Sequence, residues 1–187
     1  MNAQELIKSV TQQVLDEARQ SVPGGDSWNG TFAAVNKYFV PHCDFRRTTK
    51  LAVGRSWRTA TSAQQEQVFE QFEPLLVRTV TNAFEQAVLS GGDVEFPPFR
   101  EGGRDTVVCT VLPGNDGQPI SICYRLNQSS TDGWRIYDMS MSGVWTIQMY
   151  RQQFAETLPN SGFDALIQSL TQENQRLALT HAQRSAP

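Results

Sequence analysis

From Ala3 to Ser21 the apolar residues Leu6, Ile7, Val10, Val14, Leu15 and Ala18 recur at helical spacing, and Pro23-Gly24-Gly25 ends the run. Asp26 or Ser27 caps a second helix carrying Phe32, Val35, Tyr38 and Phe39 to Pro41. After the irregular link Pro41 to Phe45, Thr48 to Trp57 reads as a third. Thr61 opens the next with a hydroxyl cap and amide and acid side chains in the first turns. The stripe behind that cap includes Val68, Phe72, Leu75, Leu76, Val80, Phe84 and Val88, broad enough for burial on more than one side. Pro74 lies inside it and removes a backbone donor, so a kink or break is expected there.

After Ser90 the period changes to two. Strands are expected over Asp93 to Arg100 (an edge, because of Pro97 and Pro98), Arg104 to Leu112, Pro119 to Asn127 and Trp134 to Ser142. Pro113 to Gly117 and Ser129 to Gly133 supply turns. Within the last strand, Ile136, Asp138 and Ser140 alternate with Tyr137, Met139 and Met141. At Gly143 the period turns helical, with Val144, Ile147, Tyr150 (or Arg151) and Phe154 on one stripe. Helices are expected over Thr146 to Leu158 and Gly162 to about His181. The pattern predicts an α+β fold: a curved antiparallel meander of about four strands, wrapped by N-terminal and C-terminal helices, an arrangement that can also enclose an apolar cavity. Residues 1–182 are expected to form a single domain and 183–187 a disordered tail.

Composition narrows the function more than the fold. Net charge is −3, which gives no global basic field for nucleic acid. Aromatic and basic residues do alternate at Tyr124-Arg125 and Trp134 to Tyr137, but aromatics in a meander serve its core. Arg46, Arg47, Lys50, Arg55 and Arg58 crowd together, either as a solvated face or as a docking patch for an acidic or phosphate-bearing partner. No apolar run approaches the roughly 20 residues that span a bilayer. Met1 opens directly on a helix pattern with no signal peptide, as expected of a cytosolic protein or a processed form.

Catalytic signatures are sparse. There is no Gly-x-Ser-x-Gly and no glycine-rich phosphate loop. Cys43, Cys109 and Cys123 lack metal-site spacing, and with only His42 and His181 no metal is expected. His42 and Asp44 are the sole candidate polar pair for a base and its orienter. No cofactor is expected. What stands out is abundant bulky apolar surface, a pattern shared by a packed core and a ligand cavity.

Several motifs, taken in order, resemble the MlaC family of toluene-tolerance proteins. Trp134, Tyr137, Asp138, Gly143, Val144, Tyr150, Arg151 and Phe154 match the family's Trp-x-x-Tyr-Asp strand, Gly-Val turn and Tyr-Arg-x-x-Phe helix. Gly162, Phe163, Asp164, Leu166, Ile167 and Leu170 match the helix that follows. Upstream, Pro41 to Phe45, Leu51 to Trp57, Ala60 to Phe69 and Leu75 to Thr79 fit in the same order, so the likeness covers about residues 30 to 175. Val80 replaces a tyrosine, Trp145 a usual serine and Met149 a frequent asparagine.

The resemblance implies a periplasmic, non-enzymatic, monomeric carrier of diacyl phospholipid. Such a carrier would shuttle between an outer-membrane lipoprotein complex and an inner-membrane ABC-transporter assembly, sustaining outer-membrane lipid asymmetry and solvent tolerance. It places a lipid-binding wall at Phe72, Leu75, Leu76, Val80, Ile122, Tyr124, Met139, Met141, Val144, Ile147, Tyr150, Leu166 and Leu170. Methionine's flexible chain suits varied acyl groups. Arg151 would meet the headgroup or serve structure. An oxidising address would also let Cys109 and Cys123 pair across two strands as a disulfide, leaving Cys43 free. A binder of small hydrophobic ligands, or an enzyme using His42 and Asp44, is the alternative reading.

Overall fold

The computed structural model describes residues 1–184. The chain divides into two compact units, Met1–Asp44 with Val77–Thr146, and Phe45–Leu76 with the chain from Ile147 onward. Five helices are used below: α1 (Ala3–Arg19), α2 (Ser27–Ala34), α3 (Phe45–Val53), α4 (Ser62–Ser90) and α5 (Thr146–Arg184). The strands are β1 (Asp105–Leu112), β2 (Ile120–Ser129), β3 (Gly133–Met141) and β4 (Val144–Trp145). They form an open four-stranded antiparallel meander in the order β1-β2-β3-β4, flanked by helices. The expected α+β class is therefore found. Of the expected tail, Gln183 and Arg184 lie in α5, and residues 185–187 fall outside the described residues.

In the first unit, α1 starts from a capping box in which the Asn2 side chain accepts from the Glu5 N–H and Glu5 answers the Asn2 N–H. Its apolar stripe is buried throughout. Asp26 caps α2 as expected, accepting from the Asn29 N–H. The chain then makes a π turn over Val35–Phe39, and Phe39 packs against Phe84 of α4 and Tyr124 of β2 at 5.9 and 6.0 Å between ring centroids. Val108, Leu112, Ile122, Tyr124, Leu126, Ile136 and Met139 make up the core face of the sheet.

Three expectations about the sheet are corrected. Asp93 to Arg100 forms no strand; only Glu95 bridges to Val111, because Pro97 and Pro98 cannot donate to a ladder. The fourth strand is instead β4, reached from β3 through Ser142 and Gly143. Both of these have positive φ (49° and 87°), the conformation of a two-residue hairpin turn. Within β3 the alternation is not strict. A bulge opposite Arg125/Leu126 leaves Tyr137 as an extra residue, so Ile136 joins the core face with Met139 while Asp138 and Ser140 lie on the other.

In the second unit, α3 begins at Phe45 rather than Thr48 and ends at Val53. Left-handed Gly54 (φ 72°) turns the chain into a 3-10 segment over Gly54–Thr59. α4 opens on the expected cap, with the Thr61 hydroxyl accepting from the Gln64 N–H and the Gln64 side chain accepting from the Thr61 N–H. It continues helically through Pro74. α5 is broken at Gly162, whose φ of 76° and ψ of −177° are non-helical, three residues after Pro159. That break separates the two terminal helices read from the sequence.

Candidate functional site

The second unit contains an open cleft of about 290 Å³. The first arm of α5 contributes Tyr150, Gln153, Phe154 and Thr157, spaced i, i+3, i+4 and i+7 so that they share one face. Beyond the Gly162 break, Leu166, Ser169, Leu170 and Glu173 repeat that spacing, and α4 supplies Leu75. The floor is apolar, with Leu75, Phe154, Leu166 and Leu170 all buried. Phe72, fully buried behind it, meets Tyr150 edge-on at 4.8 Å and Phe154 at 5.4 Å between ring centroids. The Asn174 amide donates to the Gln71 carbonyl at 2.6 Å, tying α5 to α4 beside the cleft.

The rim is polar. Burial, reinforced by the negative charge of Glu173, pushes the Tyr150 phenol above the ordinary tyrosine range. Arg176 donates to both Glu173 oxygens, at 2.6 and 3.0 Å, and holds that carboxyl below its usual range. Such a cleft can take up an aliphatic chain along its floor and leave polar groups at its edge.

Of the residues expected to form a lipid wall, the second unit holds Phe72, Leu75, Leu76, Ile147, Tyr150, Leu166 and Leu170; all are buried except Tyr150, which is partly so. Leu75, Tyr150, Leu166 and Leu170 line the cleft. Phe154 also lines it, and its place on the Ile147–Tyr150 stripe was the signal for it. In the first unit, Ile122 sits opposite Met141 and Tyr124 opposite Met139 on the core face of the sheet. Val80 is buried in α4. Burial pushes the Tyr124 phenol well above its ordinary range, an effect the neighbouring Thr110 hydroxyl opposes only in part. Val144 departs from expectation: it belongs to β4, not to a helix stripe, and is 58% exposed.

The polar candidates make contacts within the protein. Arg151 donates through Nε and Nη2 to the Leu51 carbonyl, at 3.0 and 2.8 Å. The link holding His42 and Asp44 is pinned by Arg135, which donates to the carbonyls of Pro41 and Cys43, and by the Asp44 N–H bonding to the Ile136 carbonyl. Burial and the Arg135 charge lower the His42 pKa. Cys109 and Cys123 stand directly opposite in the β1–β2 register and are bonded, S–S 2.06 Å, while Cys43 is buried and outside the disulfide. Among the described residues no cluster of His, Cys, Asp or Glu is arranged to hold a metal, and no helix is long and apolar enough to cross a membrane.

The first unit is an open antiparallel meander flanked by helices, of the α+β class, and the second unit holds a cleft with an apolar floor and a polar rim. The chain matches the family described as MlaC protein over residues 8–172 and belongs to that family. A phospholipid-binding protein from Ralstonia solanacearum, solved in complex with a phospholipid, is 34% identical and superposes with a TM-score of 0.82, covering 95% of this chain and 99% of that one. The intermembrane phospholipid transport system binding protein MlaC of Haemophilus influenzae is 20% identical over 142 residues. That match covers 74% of this chain and 65% of the relative, so the chain spans less than two thirds of that relative's length.

Proposed function

We infer that this protein binds one diacyl phospholipid and carries it between membranes, in the periplasm, as the soluble component of an ABC-transporter-linked system. The observation that carries this reading is kinship with a phospholipid-bound structure, 34% identical and covering 95% of this chain. The cleft in the second unit, where Leu75, Phe154, Leu166 and Leu170 offer an apolar floor beneath a polar rim, supports it with room for part of an acyl chain. Two acyl chains hold tens of methylenes, each worth about 0.8 kcal/mol when withdrawn from water, so sequestering chains suffices for tight carriage and no reacting group is needed. The polar rim suits a headgroup left near solvent. The disulfide fits an oxidising compartment. Exposed Lys50, Arg55 and Arg58 present positive charge to an acidic partner on a membrane complex.

Organic extraction of the purified protein, followed by lipid mass spectrometry, tests this reading. Diacyl phospholipid at near one per chain is the expected result. Protein that yields none, and takes none up from phospholipid micelles, would contradict it.

A further inference from the structure

On the face of the sheet turned away from its core, Arg125 of β2 lies directly opposite Asp138 of β3 on one side and Val107 of β1 on the other. Residues directly opposite in an antiparallel pair share a face, so the three form one row. Arg125 Nη1 bonds an Asp138 oxygen at 3.1 Å, and the Asp138 side chain is wholly buried while that of Arg125 is 41% exposed. Asp138 also accepts from the Met139 N–H. Trp145, paired with Ser140 on the same face, lays its ring 3.9 Å from the guanidinium carbon. Among the described residues Nε and Nη2 of Arg125 meet no other protein acceptor. Val107 is 45% exposed beside them.

This row differs from an ordinary surface ion pair in two respects. The Asp138 side chain is fully buried while the guanidinium stays partly exposed, so the guanidinium edge is what the pair offers a partner. The cation is held flat by an aromatic ring and a buried carboxylate, so little side-chain entropy remains to be lost when it binds. The chemistry it fits is a phosphate oxyanion, which a guanidinium fork can meet with two parallel hydrogen bonds. Trp145 on one side is a group expected where a protein meets the boundary between headgroups and acyl chains, and Val107 on the other adds exposed apolar surface.

We propose that the Val107–Arg125–Trp145 row is a docking surface for an anionic bilayer, with Arg125 seated on a lipid phosphate and the Trp145 and Val107 side chains set at the acyl boundary. It would bring the protein to a membrane surface irrespective of any lipid carried in the cleft. It therefore stands apart from the carrier reading.

The test is co-sedimentation with phosphatidylglycerol vesicles at low and moderate salt, comparing wild type with Trp145→Ser and Val107→Asp. Both variants keep the Arg125–Asp138 pair, and Val107→Asp sets a carboxylate opposite the guanidinium. Circular dichroism confirms that each is folded. Wild type should sediment with the vesicles, and Val107→Asp should weaken partitioning about fivefold or more, the scale of one cationic contact at an anionic surface. Trp145→Ser should weaken it several-fold. Inorganic phosphate at matched ionic strength separates the two sources of phosphate. Competition by it that both variants abolish, without change in their vesicle binding, would mark a free-anion site and overturn the docking surface. Equal sedimentation of all three proteins, or none by wild type, would overturn it as well. Copurified lipid is measured separately, so a failure here leaves the carrier reading standing.

Discussion

The Phe72 and Tyr150 rings meet in a T-shaped pair, 4.8 Å between centroids at 78°. The pair joins the buried interior of the second unit to the open cleft, since Phe72 is fully buried and Tyr150 lines the cavity. Removing the Phe72 ring costs its transfer energy and leaves a void that its neighbours fill only in part. Phe72→Ala should lower stability by about 3–5 kcal/mol in urea unfolding. Tyr150→Ala, at a partly exposed site, should cost less while reducing copurified lipid.

The Cys109–Cys123 bond closes a loop of sequence separation 14. In the chain-entropy account a loop of that size is worth about 3 kcal/mol. Thiol titration of the denatured protein should find one reactive cysteine, Cys43, before reduction and three after. The Cys109→Ser/Cys123→Ser double variant should unfold at a lower urea concentration. Three thiols without reduction would show that the bond is absent.

Burial and the Arg135 charge depress the His42 pKa below its usual 6.5. A depressed histidine favours the neutral ring in the fold. Its contribution is complete above the unfolded pKa and is lost as pH falls through the folded one. Between about pH 7.5 and pH 5, His42→Asn should therefore lose less stability than wild type. Urea midpoints at the two pH values measure the difference, and parallel losses would contradict the assignment.

Gly162 combines φ 76° with ψ −177°, a region open essentially to glycine alone. It is the break that lets Leu166 and Leu170 belong to a separate helical arm from Tyr150 and Phe154. Gly162→Ala should cost about 1–3 kcal/mol, read as a fall in Tm, and that cost is backbone strain, because an added Cβ would meet nothing within 4 Å.

Much of this was legible along the chain because local rules and tertiary packing agree. The α1 stripe, the Asp26 and Thr61 caps and the Gly162 break all appear where spacing places them. The bulge in β3 was not legible: period-two reading assigns Ile136 to the face of Asp138, and only pairing with β2 reveals Tyr137 as the extra residue. Val144 was read into a helix because its spacing to Ile147 suits one, whereas the Ser142-Gly143 turn spends two residues on a strand first. Four of the residues expected to touch lipid line the cleft, and Phe154 joins them. Gln153, Thr157, Ser169 and Glu173 share those helix faces but carry no apolar signal, so the polar rim emerges only from the structure.

Carriage through this site requires acyl chains to occupy the cleft of the second unit. Photo-crosslinking tests this most directly, using phosphatidylglycerol that carries a diazirine on an acyl chain, with the adducts mapped by peptide mass spectrometry. Adducts on the α5 peptides containing Tyr150, Phe154, Leu166 and Leu170, diminished by excess unlabelled lipid, are the predicted result. Adducts that leave those peptides unlabelled, or that excess lipid does not reduce, would contradict it.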